Sequence, residues 1–391
     1  MIDALHDLQS DMAEWRRDIH AHPEVAFEER RTANLVSEKL AQFGFAVARG
    51  LAGTGVVGTL VGQPGPDAVA LRADMDALPI EETGEWPHRS RVPGRMHACG
   101  HDGHMAMLLG AARHLARTRA FAGTLHVIFQ PAEENEGGGR VMVEEGLFTR
   151  FPVKAVYGLH NWPGLEAGVF AFHQGPVMAA FDTFEVVVRG RGGHGAMPHL
   201  TTDPVVAAAQ MVLGFQTLVS RSVSPLDAAV VSVTEVKGGD TWNVIPGTVS
   251  LRGTTRSLRP EVREALAAGL RRVALGVAAA AGVEVDVHVQ PRYPATINTA
   301  AETDLAAQAA ADVVGTSGVR RDLAPSMAAE DFAYMLEQRP GCYAWIGNGP
   351  AESQAGLHGP RYDFNDAILT TGAAYWVRLV ERALPLVDSA G

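Results

Sequence analysis

The densest concentration of reactive side chains is Met96-His97-Ala98-Cys99-Gly100-His101-Asp102-Gly103-His104. It places three histidines, an aspartate and one of the chain's two cysteines within nine residues. Imidazole, thiolate and carboxylate are the ligands that borderline transition metals take. The competing reading of this stretch by itself is a polar turn before a helix, with one buried thiol. Other candidates stand at the ends of apolar runs. Glu133 and Glu134 follow Val127-Ile128-Phe129 and precede a glycine run. Adjacent carboxylates point in different directions, so one can ligate a metal while the other reaches a bound water; a solvated acidic pair is the alternative. His160 ends Val156-Tyr157-Gly158-Leu159, and His358 lies in a loop between Leu357 and Gly359-Pro360. For His160 the alternative is a hydrogen-bonded histidine near the core. Taken together, Cys99, His101, Glu134, His160 and His358 supply N, O and S ligands. Five ligands exceed the four of a structural zinc site and suit two metals sharing ligands and a bridging water. Asp74 and Asp76 precede the cluster, placed either to orient a ligating imidazole or to cap a strand before a turn.

An alternation of helices and strands must position these residues. Leu5, Leu8, Met12, Trp15 and Ile19 recur at helical spacing within residues 3–20, and His20-Ala21-His22-Pro23-Glu24 breaks that helix. A second helix is expected from about Glu28 to Phe43, then strands at Phe45–Val47, Gly55–Val61 and Val69–Asp74. The metal-ligand cluster leads into a helix, Gly103–Thr118, followed by strands Thr124–Gln130 and Ala155–His160 with a helix between them. This pattern predicts an α/β sheet with polar side chains at its strand ends, where open sheets place their sites. The character changes near Phe181. A strand at Phe184–Gly190, a helix from Asp203 to about Ser220, strands at Ala228–Thr234 and Thr248–Thr254, a helix Pro260–Ala281 and a strand Val283–Val289 make the β-α-β-β-α-β order of a ferredoxin-like unit. Helices at Glu302–Val314, after Phe332 and from near Asn365, with a strand at Cys342–Gly347, return to α/β character. The expected organisation is a large domain of residues 1–181 and 293–391, interrupted by a small inserted domain, 182–292.

Several function classes are disfavoured. Gly53-Thr54-Gly55-Val56-Val57-Gly58 matches GxGxxG, but a strand and a Pro/Gly turn follow it, not the helix whose N-terminus would meet a phosphate. The formal net charge of -11 argues against a nucleic-acid surface. Hydrophobic content of 47% with 20% charged residues describes an ordinary globular chain. Two cysteines in 391 residues make no disulfide framework and fit a reducing compartment. The first residues, Met1 to Asp7, have no basic segment leading into an apolar run, so no secretory leader is expected. The apolar stretch Ala265–Val283 is interrupted by Arg271 and Arg272, so no membrane span is expected. The expectation is a cytoplasmic protein with neither nucleic-acid nor membrane partners.

The motifs in order make the chain recognisable. Arg17-Asp18-Ile19-His20-Ala21-His22-Pro23-Glu24, Leu71-Arg72-Ala73-Asp74-Met75-Asp76-Ala77-Leu78-Pro79, the Met96–His104 cluster and Gln130-Pro131-Ala132-Glu133-Glu134 are followed by Gly158-Leu159-His160-Asn161, Gly192-Gly193-His194-Gly195-Ala196-Met197-Pro198-His199, Asn243-Val244-Ile245-Pro246, Ala329-Glu330-Asp331-Phe332 and Leu357-His358-Gly359-Pro360. Over nearly its whole length the sequence resembles the amidohydrolase/aminoacylase/carboxypeptidase family of dinuclear metal hydrolases, which includes hippurate hydrolases and auxin-conjugate hydrolases. The resemblance implies a zinc-peptidase-like catalytic domain with an inserted ferredoxin-like lid that dimerises. It implies that Cys99, His101, Glu134, His160 and His358 hold two divalent ions, Mn2+ or Zn2+, with Co2+ and Ni2+ as further candidates. Glu133 is then the general base and Asp76 belongs to the catalytic set. His194 stabilises the oxyanion and reaches the partner subunit's active site, and Asn243 and Arg256 help bind the substrate carboxylate. His97, Asp102 and His104 are left as supporting or packing residues. The broader superfamily carries His-x-Asp where this chain has Asp74-Met75-Asp76, and it lacks the cysteine, so the chain falls in a cysteine-containing branch. The implied reaction is hydrolysis of N-acyl or N-aroyl amino acids to an amino acid and a carboxylic acid. A dipeptidase or aminopeptidase on the same centre is the alternative within enzymes. A non-catalytic metal-binding regulatory protein is the alternative outside them, and the intact Glu133-Glu134 pair argues against it.

Overall fold

Runs of β-branched and small apolar residues build a mixed eight-stranded sheet in the computed structural model, which describes residues 5–134, 136–350 and 356–386. Across the sheet the order is Ala46–Leu51, Gly55–Val61, Ala122–Gln130, Gln63–Asp74, Ala155–Pro163, Gly341–Gly349, Phe170–Ala171 and Val319–Arg320. Gln63–Asp74 is parallel to both of its neighbours, and Gly341–Gly349 is parallel to Ala155–Pro163. Four strands therefore end on the same edge, and open α/β sheets bind ligands beyond that edge. The inner strands are buried on both faces, which is why Val69-Ala70-Leu71 and Val127-Ile128-Phe129 read as continuous apolar runs and not as alternation.

The helix His101–Thr118 carries the cluster. Its side chains Met105, Met107, Leu108 and Leu109 are fully buried, and it packs against the strand Gln63–Asp74 and the helices Gln9–Ala21 and Leu369–Ala383. Each buried side chain of that size contributes about 2 kcal/mol, so the first turn of this helix, where His101 and His104 sit, is held by the core. The expected helix over residues 3–20 is Gln9–Ala21, and its first residues, 3 and 4, lie outside the described residues, as do the first four residues used to predict the absence of a leader. The helix expected after Phe332 shrinks to the single turn Ala333–Leu336, because Pro340 soon follows and disfavours helical backbone before it.

The described residues fall into two compact units, Met1–Gly175 with Ile297–Ala324 and Asp331–Gly391, and Pro176–Thr296 with Pro325–Glu330. The second unit is a four-stranded antiparallel sheet in the order Ala229–Lys237, Thr248–Ser257, Ala180–Arg189, Glu284–Tyr293. Its helices Pro204–Thr217 and Pro260–Ala281 bury Val186, Val188, Val249 and Leu251 beneath them. Asp203 caps the first of these helices by accepting from Val205 N at 2.8 Å, with Pro204 at the first helical position. The split β-α-β-β-α-β order gives this α/β protein a separate sheet-and-helix lid. No helix among the described residues is long and apolar enough to cross a membrane.

Candidate metal centre

The loop before the helix His101–Thr118 is set by Gly100. Its φ is +90°, and a Cβ there would lie 2.2 Å from Asn161 Nδ2. Only glycine meets both conditions, so Cys99 and His101 are held on either side of it with both side chains buried. His358 is brought in by its own backbone, since its N–H donates to Ala98 O at 2.8 Å. His358 has φ +63°, and Ala132, just before the two glutamates, has φ +54°. Non-glycine residues in this region cluster at functional sites.

The glutamates are oriented through their backbone. Three successive amides are each received by a carboxylate: Ala132 N by Glu29 Oε1 (2.9 Å), Glu133 N by Asp76 Oδ1 (2.9 Å) and Glu134 N by Asp76 Oδ2 (2.9 Å). Asp76 thus positions both glutamates, and its backbone carbonyl accepts from His101 Nδ1 at 2.8 Å. Asp331 N donates to Glu133 Oε1 at 3.3 Å. The Asp331 carboxylate accepts in turn from Arg72, Gln130 and Gly139 N. Glu29 is fully buried. Burial, and then the Asp76 charge, push its carboxyl up to about 7. Sequence reasoning missed Glu29, which reads only as the start of a helix 104 positions before Glu133.

The tautomers follow from the partners. Asn161 N donates to His104 Nε2 at 3.0 Å, so the His104 proton is on Nδ1, donating to Asp74 Oδ1 at 2.7 Å. Both nitrogens of His104 are engaged, which leaves it as a support. His101 Nδ1 donates to Asp76 O, and its buried Nε2 has no hydrogen-bond partner. His160 Nδ1 donates to Asn161 O at 2.6 Å, and its Nε2 stands 3.4 Å from Cys99 Sγ. His358 Nε2 stands 3.1 Å from Glu134 Oε1, yet the angle makes no hydrogen bond. Two lone-pair donors facing a common point have this relation. Asp102 turns the other way, to His20 Nδ1 at 2.8 Å and to Arg16. His97 is buried with neither ring nitrogen hydrogen-bonded, and burial pushes it down to about 4, so it is neutral.

These donor atoms fall into overlapping groups whose members lie within 4.8 Å of one another: Cys99, Glu134 and His358; Asp74, His101, His104 and His160; and His101, Glu133 and Glu134. The electrostatics ask for positive charge. Burial would pull a proton off His101, but Asp74 and Asp76 more than reverse this and hold it at about 10. Burial and the Glu134 and Glu133 carboxylates push the Cys99 thiol well above its usual value. His160 is held well below its ordinary value, chiefly by burial and then by His104, so its Nε2 is a ready ligand. Burial would raise the Asp74 carboxyl, but His101 and Arg72 hold it well below the usual range. An unbonded buried imidazole nitrogen, a thiol and three carboxylates fit two divalent cations sharing ligands.

The lid residues are arranged differently. His194 is exposed on the two-residue strand Gly193–His194, which pairs with Val244–Ile245, and Asn243 O accepts from Gly195 N at 2.8 Å. His194 and Asn243 are therefore neighbours on one small ladder. Arg256 is elsewhere in the same unit. It pairs across the sheet with Phe181, whereas the ladder lies beyond the other end of these strands, where Thr248 pairs with Arg189. Eight residues of strand, about 27 Å, separate those two ends. The Arg256 guanidinium lies 4.0 Å from the Phe181 ring centroid, beside a groove of about 480 Å³ that Arg252 and His288 also line. The structure thus gathers the residues expected as metal ligands and Glu133, and within one subunit it does not bring Arg256 to His194 and Asn243.

Comparison with known proteins agrees with this geometry. Residues 70–382 match Peptidase family M20/M25/M40. The chain is 37% identical over 384 residues to a hippurate hydrolase of Campylobacter jejuni, covering 98% of this chain and 99% of that one. It is 40% identical over 386 residues to an IAA-amino acid hydrolase of Arabidopsis thaliana, covering 97% and 87%. It superposes with a TM-score of 0.85 and 34% identity on a dinuclear metal-binding peptidase of the M20 family from Bacillus subtilis, covering 98% of this chain and 100% of that one. With a match across most of its length and full-length relatives above 30% identity, the chain belongs to the M20/M25/M40 peptidase family.

Proposed function

We propose that this protein hydrolyses the amide bond of N-acyl or N-aroyl amino acids, releasing a free amino acid and a carboxylic acid. The observation that carries this is the gathering of Cys99, His101, Glu134, His160 and His358 from separate elements into adjoining donor groups, with Glu133 beside them. Relatives named for hippurate, IAA-amino acid and N-acetylcysteine substrates support the same reaction class. Cys99, Glu134 and His358 would hold one divalent ion and His101 and His160 the other, with Glu134 close to both groups; Mn2+ and Zn2+ suit this donor set. When bound, the pair supplies Lewis-acid polarisation of a carbonyl and a lowered pKa for a bound water.

The chain's own residues do the rest. A Glu133 carboxylate oxygen takes the proton from the attacking water and returns it to the leaving amine. Asp331 N–H and Asp76, through the Glu133 amide, hold that carboxylate in place. His194 donates to the developing oxyanion from the lid of a partner subunit, and Asn243 and Arg256 bind the substrate carboxylate.

The partner is a second copy. The edge strand Ala229–Lys237 exposes Val230 and Val236, and nearby Leu226, Val205, Val206 and Leu213 are exposed as well. The opposite edge, Glu284–Tyr293, presents Glu284, Asp286, His288 and Gln290 to solvent, which blunts it against pairing. The protein works in the cytoplasm, a placement supported by two buried free thiols.

The decisive experiment assays N-benzoylglycine, N-acetylcysteine and a dipeptide with metal-loaded wild type and Glu133→Gln. The variant should keep its metal content and lose about 10²–10⁴-fold in kcat. Near-wild-type turnover would overturn Glu133 as base, and faster cleavage of the dipeptide would overturn the substrate class.

A further inference from the structure

We propose that Asn161 is the positioning residue that holds the Cys99 arm and the His358 arm of the metal centre in one arrangement. This rests on the assignment of Cys99, His160 and His358 as ligands. Asn161 follows His160 on the strand Ala155–Pro163 and is fully buried. Each of its polar atoms is committed to a different part of the centre. Its carbonyl oxygen accepts from His160 Nδ1 at 2.6 Å and its N–H donates to His104 Nε2 at 3.0 Å. Its side-chain Nδ2 donates to Cys99 O at 2.7 Å and lies 3.0 Å from His104 Nε2. Its Oδ1 accepts from Tyr362 Oη at 2.7 Å. Tyr362 closes the turn that begins at Gly359, the residue after His358, its N–H donating to Gly359 O at 3.0 Å.

The amide orientation is forced. Cys99 O can only accept, so Nδ2 must face it, and Oδ1 is left for the Tyr362 hydroxyl. The fit is steric as well as polar. A Cβ at Gly100 would lie 2.2 Å from Asn161 Nδ2 and 2.5 Å from Tyr362 Oη, so the amide and the phenol are packed against the Cys99-Gly100-His101 backbone. Leucine has nearly the same shape and would leave Cys99 O and the Tyr362 hydroxyl buried without partners. Aspartate would put an acceptor against Cys99 O. Asn161 therefore acts through the ligands: its backbone engages His160 and His104 as any residue's would, and its own side chain fixes the Cys99 carbonyl, a second contact to His104 Nε2 and the Tyr362 hydroxyl. Partners of this kind change metal affinity by about 10–100-fold.

The test titrates Co2+ into metal-free wild type, Asn161→Leu, Asn161→Asp and Tyr362→Phe, following the near-ultraviolet thiolate-to-cobalt charge-transfer band. Circular dichroism of each metal-free protein reports its fold. Wild type should show the band, and Cys99→Ser should lack it. Asn161→Leu and Asn161→Asp should bind Co2+ about 10–100-fold more weakly, with a diminished or shifted band. Tyr362→Phe should weaken binding less and leave the band in place, since the ring stays packed and only the hydroxyl's bond to Asn161 Oδ1 is lost. Should Asn161→Leu fail to fold, the near-isosteric Asn161→Asp carries the test. A wild-type affinity and band in the folded Asn161 variant overturns the proposal. A wild type without the band overturns the Cys99 assignment beneath it.

Discussion

Two of the proposed ligands, Cys99 and His101, are held, when metal-free, in the wrong protonation states for coordination. The Cys99 thiol is pushed well above its usual value by burial and by Glu134, and His101 is held at about 10 by Asp74 and Asp76 against the effect of burial. Near neutral pH each carries a proton that a metal must displace, because thiolate and neutral imidazole are the ligating forms. Metal loading should therefore release at least two protons, one from each residue, before any from bound water. Below both pKa values the logarithm of affinity should rise by about two for each pH unit. Calorimetry in buffers of different ionisation enthalpy measures the release directly. Cys99→Ser should lower the count by about one, and a wild-type release below one proton contradicts the ligand pair.

At the scale of elements, the turn Ala132–Glu134 depends on carboxylates from two other parts of the chain. Asp76 caps the two glutamate amides from just past a strand end, and Glu29 caps the amide before them from the residue that precedes the helix Arg30–Phe43. Glu29 also accepts from Thr54 Oγ1 at 2.7 Å and Phe27 N at 3.0 Å. Its folded value of about 7 lies above the ordinary glutamate value of 4.5. Between those values the folded state binds more protons than the unfolded state, so stability is greatest below about 4.5 and falls as pH rises towards about 7. Glu29→Gln keeps an acceptor for the amides and can donate to Thr54. Relative to wild type it should gain roughly 2–3 kcal/mol more at pH 8 than at pH 5. Denaturant melts of the metal-free proteins at the two pH values check this, and an equal difference at both would show that Glu29 is ionised throughout.

At the scale of the whole molecule, the exposed apolar side chains of the lid, on and beside its edge strand Ala229–Lys237, carry the expectation of a dimer. Leu213→Glu combined with Val236→Lys should shift the protein to a monomer in sedimentation velocity. If His194 serves the partner's site, the monomer should keep its metal content and lose most turnover. A monomeric variant with full activity would show that each subunit completes its own site. The separation of Arg256 from the ladder that carries His194 and Asn243 favours the dimer. A single lid holds these three residues at opposite ends of its sheet, so one lid does not offer them to one substrate carboxylate as a compact set.

Residue types and patterning carried the α/β organisation with its separate lid, and they pointed to the candidate ligand types and to a candidate base beside one of them. Each is written locally. Ligands stand next to strand ends, apolar runs mark buried parallel strands, and alternation marks the lid. The family resemblance singled out Cys99 and His101 from the Met96–His104 cluster, but residue types and spacing alone gave no physical reason for it, because that reason lies in partners far away in the chain. Both His104 nitrogens are engaged, by Asn161 and Asp74, while His101 Nε2 has no hydrogen-bond partner. Asp76 was legible as a nearby carboxylate, but its use of both side-chain oxygens on the Glu133 and Glu134 amides was not. Glu29 carried no signal of its own, since it only opens a helix, and Asn161 appeared only as the last residue of the Gly158–Asn161 motif, with no role assigned to it. Only the tertiary structure decided their roles, because a buried amide or carboxylate acquires its function from the unsatisfied groups that folding brings against it.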